Sequence, residues 1–225
     1  MHRIGSRASL KNIGLHFPNF VRFLLFLCRP LSAVVILPVA ELPAMNTNSD
    51  LKTLDDLLVT AADFSEYFLR AQNHLPAAMF LIGVEGAHLY YTNDFQTESA
   101  MDKFQRHTRL LAMAHAPTSA VMVLPGRSEF DPAADDDPPV PAAAECLLLL
   151  GEDKSGQKSK AFIIVRSDNG KFFGLDDSVQ SVKDAEGSKG IQILPKPYPD
   201  AEARHWAKGE LKAEGIKTIP LVRQP

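Results

Sequence analysis

Residues Ala77 to Thr92 read AAMFLIGVEGAHLYYT, and the fold turns on how this stretch is interpreted. The run Ala77 to Val84 is short and almost wholly apolar, the pattern of a strand covered on both faces. Glu85-Gly86 then interrupts it with residues suited to a tight turn. His88 to Thr92 comes back as the hairpin partner. Strands joined this closely pair antiparallel.

Upstream, Leu51, Leu54, Leu57, Leu58, Ala61, Phe64 and Phe68 recur at three-and-four spacing, which predicts an amphipathic helix. Thr53 or Ser49 supplies its cap ahead of Asp55 and Asp56. Pro76 disfavours helical geometry at Leu75, so the helix stops near Asn73-His74. Downstream, Thr97 or Asp94 caps a second helix with the stripe Met101, Phe104, Thr108, Leu111, Ala112 and His115, and Pro117 ends it. Ser119 to Leu124 predicts a strand terminated by Pro125-Gly126. Residues 128–144 place Asp131, Asp135, Asp136 and Asp137 among prolines and alanines, a composition expected to give a mobile acidic loop.

Two more strands are predicted at Glu145 to Leu150 and Lys160 to Arg166, with the polar tract 151–159 as a long hairpin tip. Asn169-Gly170 is a strong turn signal, because both residues tolerate positive φ, so a further strand runs back through Phe173. The sequence permits a strand at Ile191 to Leu194. It then predicts a helix from Asp200 to Ala213 closed by Gly215. Hairpins interleaved with helices imply an α+β fold, with a mainly antiparallel sheet of about five strands and helices packed on it. A single domain over residues 45–215 is expected, with 216–225 as a tail.

The first 44 residues differ in character: Arg3, Arg7, Lys11, Arg22 and Arg29 stand against Glu41 alone. The apolar runs Phe23 to Cys28 and Leu31 to Ala40 are split by Arg29-Pro30 into pieces too short to span a bilayer. The expectation is a presequence or a translation start actually at Met45, in either case outside the fold. The whole chain has 225 residues, a net charge of −3 and two cysteines, Cys28 and Cys146. That balance offers no positive field for nucleic acid, and two distant cysteines give neither a disulfide framework nor a metal pair. A cytoplasmic setting is expected, with export through an atypical N-terminal signal as the alternative.

The order of elements resembles the roadblock, longin and profilin-like group, whose members carry a central antiparallel sheet between helices and mostly serve as scaffolds, adaptors or sensors. Three segments, Thr53 to Leu58, Thr118 to Leu124 and Gly156-Gln157-Lys158, are similar to uncharacterised proteobacterial proteins from accessory or mobile gene regions. That second resemblance spans Leu51 to Pro195 and implies no activity.

The nucleophile elbow, the dinucleotide loop and the phosphate loop are absent, so no catalytic, cofactor or metal residue is assigned from sequence. His107 and His115 share a helix but lie roughly 80° apart around it, with no adjoining carboxylate motif. Cys146 precedes an apolar run and reads as a small core residue. Two sites remain: a partner-docking set of Asp131, Asp135, Asp136 and Asp137, and a pocket in which His88, Tyr90, Tyr91 and Phe104 converge. The functional expectation is a non-enzymatic protein-interaction or regulatory module, with a protein partner at the acidic loop or a sheet edge. A small-molecule-sensing domain and an enzyme of unrecognised class are the alternatives.

Overall fold

A computed structural model of the chain describes residues 51–129, 143–176 and 192–221. The N-terminal 44 residues and the aspartates at 131 and 135–137 lie outside them. α1 (Leu54–Gln72) opens with the predicted cap: Thr53 accepts from the Asp56 N–H while the Asp56 side chain accepts from the Thr53 N–H. It ends at Asn73, whose left-handed φ of 54° stops the helix ahead of Pro76. The expected hairpin β1 (Ala77–Gly83) and β2 (Gly86–Thr92) follows, with Gly83 opposite Gly86, so that Val84 and Glu85 make the turn that the sequence placed at Glu85-Gly86. Then come α2 (Glu98–His115), β3 (Ser119–Glu129), β4 (Ala143–Asp153), β5 (Gly156–Arg166), β6 (Phe172–Asp176), α3 (Ala201–Ala213) and β7 (Ile219–Pro220).

The fold is α+β, and among the described residues the sheet is antiparallel throughout, with seven strands rather than about five, in the order β6-β5-β4-β3-β1-β2-β7. β1 lies near the middle and Ala77 to Leu81 are fully buried. Alternate side chains serve two cores. Ala78 and Phe80 meet α1 through Phe64 and Phe68, together with Val121 and Leu147. Met79 and Leu81 meet α2 through Phe104 and Leu111, together with Met122. α3 packs outside α2 on that second face.

The strands are longer than the sequence suggested. β3 continues through Pro125-Gly126, because β1 ends opposite Val123 and Pro125 is flanked only by β4, where a missing N–H breaks no second ladder. The polar tract 151–159 is mostly ladder, turned tightly between Asp153 and Gly156. Asp153 Oδ1 accepts from the Ser155 N–H, the Ser155 hydroxyl and the Gly156 N–H, and Gly156 takes φ +141°. Every residue from Lys154 to Ser159 is exposed while the backbone of Gly156 to Ser159 pairs, and Glu152 is buried. The ends of the expected loop 128–144 likewise belong to strands β3 and β4.

The region past β6 also differs. Residues 192–194 form no strand; the buried Glu152 carboxylate accepts from the N–H groups of Ile193 (2.7 Å) and Leu194 (3.1 Å) instead. Nor do residues 216–221 of the expected tail hang free. Gly215 (φ +70°) and Ile216 donate to the carbonyls of Lys212 and Leu211, a Schellman closure that turns the chain back so that β7 pairs with β2. Replacing Glu152 by Ala should leave two buried N–H groups unpaired and cost about 3 kcal/mol of unfolding free energy in a urea titration. A loss under about 1 kcal/mol would show that the segment 192–194 is held by other contacts.

Candidate functional site: two histidine clusters between α2, β2 and α3

The polar chemistry of the second core face is concentrated at histidines. In the first cluster, His107 projects from the middle of α2 towards β2 and is almost fully buried. The Tyr90 hydroxyl donates to His107 Nδ1 at 2.6 Å, and His107 Nε2–H donates to Glu214 Oε2 at 3.1 Å. Glu214 caps α3 and also pairs with Arg106 at 2.5 Å. Burial outweighs the Glu214 carboxylate and lowers the His107 pKa, so the ring is neutral, as this donor–acceptor order requires. Burial also pushes the Tyr90 hydroxyl up to about 12, so it stays protonated. Each polar group is used by its neighbour, and the Tyr90 ring stacks on Phe104 with centroids 6.0 Å apart.

The second cluster forms where the β1–β2 turn meets the end of α2. The approach is possible because residue 83 is glycine: a Cβ there would sit 2.5 Å from the His115 carbonyl oxygen. The Val84 N–H donates to that same carbonyl. His115, the last residue of α2, thus lies over His88 of β2, with ring centroids 4.4 Å apart. Glu85 in the turn completes a triad whose ligand-type atoms all lie within 4.8 Å of one another. Glu85 Oε2 is 3.9 Å from His115 Nδ1, while Oε1 pairs with Lys208 of α3 at 2.7 Å. The Thr218 hydroxyl stands 3.4 Å from His88 Nδ1. His88 Nε2 and His115 Nδ1 are buried without a hydrogen-bond partner. Burial lowers the pKa of His88, and burial together with the neighbouring His88 depresses His115 to about 4. Both rings are therefore neutral at pH 7.

The sequence-predicted pocket divides between faces. Tyr90 and Phe104 do stack, and His88 shares their face, but Tyr91 points to the opposite core beside Phe64 and Phe68. A cavity of about 30 Å³ lies farther along α2 against Met79, Phe95, Phe104, Thr108 and Ile193, room for one or two waters. Cys146 is half-buried and burial raises its thiol to about 11, which keeps it an unreactive packing group. Lys158, in the polar tract, pairs with Asp55 of α1 at 2.8 Å. Glu214 and Glu85, the acidic partners of the histidines, went unrecognised in the sequence. Glu85 shows there only as a turn residue, and Glu214 is 107 residues from His107.

Among the described residues no helix is long and apolar enough to cross a membrane. Compared with family models, curated proteins and solved structures, the chain finds no match.

Two measurements check this geometry. Gly83→Ala forces a Cβ against the His115 carbonyl and should cost about 2 kcal/mol of stability; a neutral substitution would mean that the turn and α2 separate freely. Histidines held neutral by burial also fix the sign of the acid response. His115 is about 4 when folded against 6.5 unfolded, so the stability it protects is complete above pH 6.5 and is lost progressively below it. Moving from pH 7.5 to 5 in the presence of a chelator should lower the unfolding free energy by about 2 kcal/mol through His115 alone. His74, His88 and His107 add in the same direction. Denaturant curves that coincide at the two pH values would contradict the buried, neutral assignment.

Proposed function

We propose that the chain is a non-enzymatic regulatory module in which the C-terminal arm, α3 with β7, covers a docking edge and is released to admit a protein partner. The observation that carries this reading is the nature of the arm's contacts. α3 buries Ala207 and Leu211, whereas α1 buries eight residues, four of its apolar contacts being Leu57, Phe64, Phe68 and Leu69. Much of the arm's remaining grip is polar: Glu214 on Arg106 and His107, Glu210 on Arg106, and Lys208 on Glu85. The Arg106 and Lys208 pairs are solvent-exposed and contribute about 0–1 kcal/mol each, and the Glu214 hydrogen bond to the buried, neutral His107 contributes about 1 kcal/mol, so this element opens at lower cost than α1 or the central ladder.

Release of the arm has a defined consequence. β7 pairs with β2 through His88 and Leu89, and the Leu221 N–H donates to the Ala87 carbonyl. Those backbone groups form the outer edge of β2, and an uncovered edge is a template for an added strand. An extended segment of a partner takes the place of β7. Asp131, Asp135, Asp136 and Asp137 favour a basic partner by charge complementarity.

Trp206 is the chain's single tryptophan and lies on α3 with half its surface exposed, so its emission anisotropy follows the arm directly. In the double variant Glu214→Ala/Lys208→Ala, Trp206 anisotropy should fall. Amide exchange in α3, β7 and Ala87 to Leu89 should rise at least about tenfold while β3 and β4 keep their protection. Exchange in α3 that stays as slow as in the β3–β4 ladder would remove the releasable arm from the argument.

A further inference from the structure

We propose that Glu85, His88 and His115 form a binding site for one divalent transition-metal ion of the zinc class, with the remaining coordination position left to water. Three features of the cluster lead there. The three residues come from a turn, a strand and a helix end, and the fold brings one nitrogen or oxygen donor of each within 4.8 Å of the others. The close approach at Gly83 holds the helix end over the turn without a side chain between them. The second feature is the pair of orphaned nitrogens. His88 is 9% exposed and His115 8%, and His88 Nε2 and His115 Nδ1 have no hydrogen-bond partner. Buried polar atoms are ordinarily satisfied, and a bound cation supplies what both lack at once. Third, the surrounding contacts suit ligation. With His88 Nε2 on the metal, Nδ1–H is left to donate to the Thr218 hydroxyl 3.4 Å away, the outer contact that orients a metal-bound imidazole. Lys208 engages Glu85 Oε1, which leaves Oε2 turned to His115.

The donor set names the ion class. Two imidazole nitrogens and one carboxylate oxygen suit zinc, cobalt, nickel or copper and disfavour magnesium and calcium, which take oxygen ligands. Tetrahedral zinc with bonds of about 2.0 Å sets its ligand atoms about 3.3 Å apart, so the donors close by an ångström or so on binding. Glu85 is half exposed and sits in a turn, free to make that adjustment and to leave a path for the ion and its water. The nearest other groups, Lys208 and Thr218, belong to the arm, so occupancy and docking of the arm share contacts, but the site itself does not depend on arm release.

The test uses the intact, untagged chain, stripped with EDTA and dialysed, and titrated with Zn²⁺ against a chromophoric chelator. Co²⁺ is titrated in parallel while its d–d absorption is followed. One equivalent per chain is expected, undisturbed by excess Mg²⁺, with a tetrahedral or five-coordinate Co²⁺ spectrum. Glu85→Gln should weaken Zn²⁺ binding at least about tenfold, His88→Asn and His115→Asn more, and the exposed His205→Gln not at all. If circular dichroism finds the buried-histidine variants unfolded, Glu85→Gln on the exposed turn decides alone. Binding well below one equivalent, a Glu85→Gln affinity equal to that of the parent, or loss of binding in His205→Gln overturns the site. Because the readout is the metal alone, it stands or falls separately from the exchange behaviour of α3.

Discussion

β1 must be covered on both faces, and the rest of the molecule is arranged to do it. Ala77 to Leu81 present apolar side chains alternately to opposite sides of the sheet, so a helix on one face alone would leave the other wet. α1 answers one face with Phe64 and Phe68. α2 answers the other with Phe104 and Leu111. Once α2 lies across β1, its last turn reaches the β1–β2 turn, and the absence of a side chain at Gly83 lets the two backbones touch. The histidine cluster at that junction is a by-product of the packing that closes the core.

Local signals in the chain account for the part of this architecture that local physics controls. Thr53, Asn73 and Pro76 mark the ends of α1, and the turn between Val84 and Gly86 marks the hairpin, because each acts through its own backbone and that of its neighbours. The α+β class and the antiparallel pairing followed from these. Strand length did not. Pro125-Gly126 carries the ordinary signature of a strand end, yet β3 passes through it, since only the finished sheet reveals that one side of Pro125 has no neighbour to pair with. Residues 154–159 are polar because their side chains face water, although the backbone of Gly156 to Ser159 is paired as regularly as that of Leu147.

The candidate site was legible only in fragments. His88 and Tyr90 were correctly placed on one strand face, and Phe104 opposite them. The placing of Tyr91 with them failed on the alternation of the strand, which sends adjacent residues to different cores. The groups that give the histidines their character, Glu85, Lys208, Glu214 and Thr218, are polar residues in turns or at helix ends, the commonest positions for surface residues. Nothing in their spacing distinguishes them from solvated charges. Glu152 is a similar case, an acidic residue in a polar tract that becomes the buried anchor for Ile193 and Leu194.

The pairing of β2 with β7 also bears on the order in which the molecule assembles. Four of the other five ladders join strands that follow one another, and the fifth, β1 with β3, spans only β2 and α2. His88 and Thr218 are 130 residues apart, and the entropy of closing that span is recovered only after the intervening sheet has shortened it. The outer edge of β2 is therefore expected to close late in folding. Until it closes, a chaperone strand or a second unfolded chain would compete with β7 for the same place.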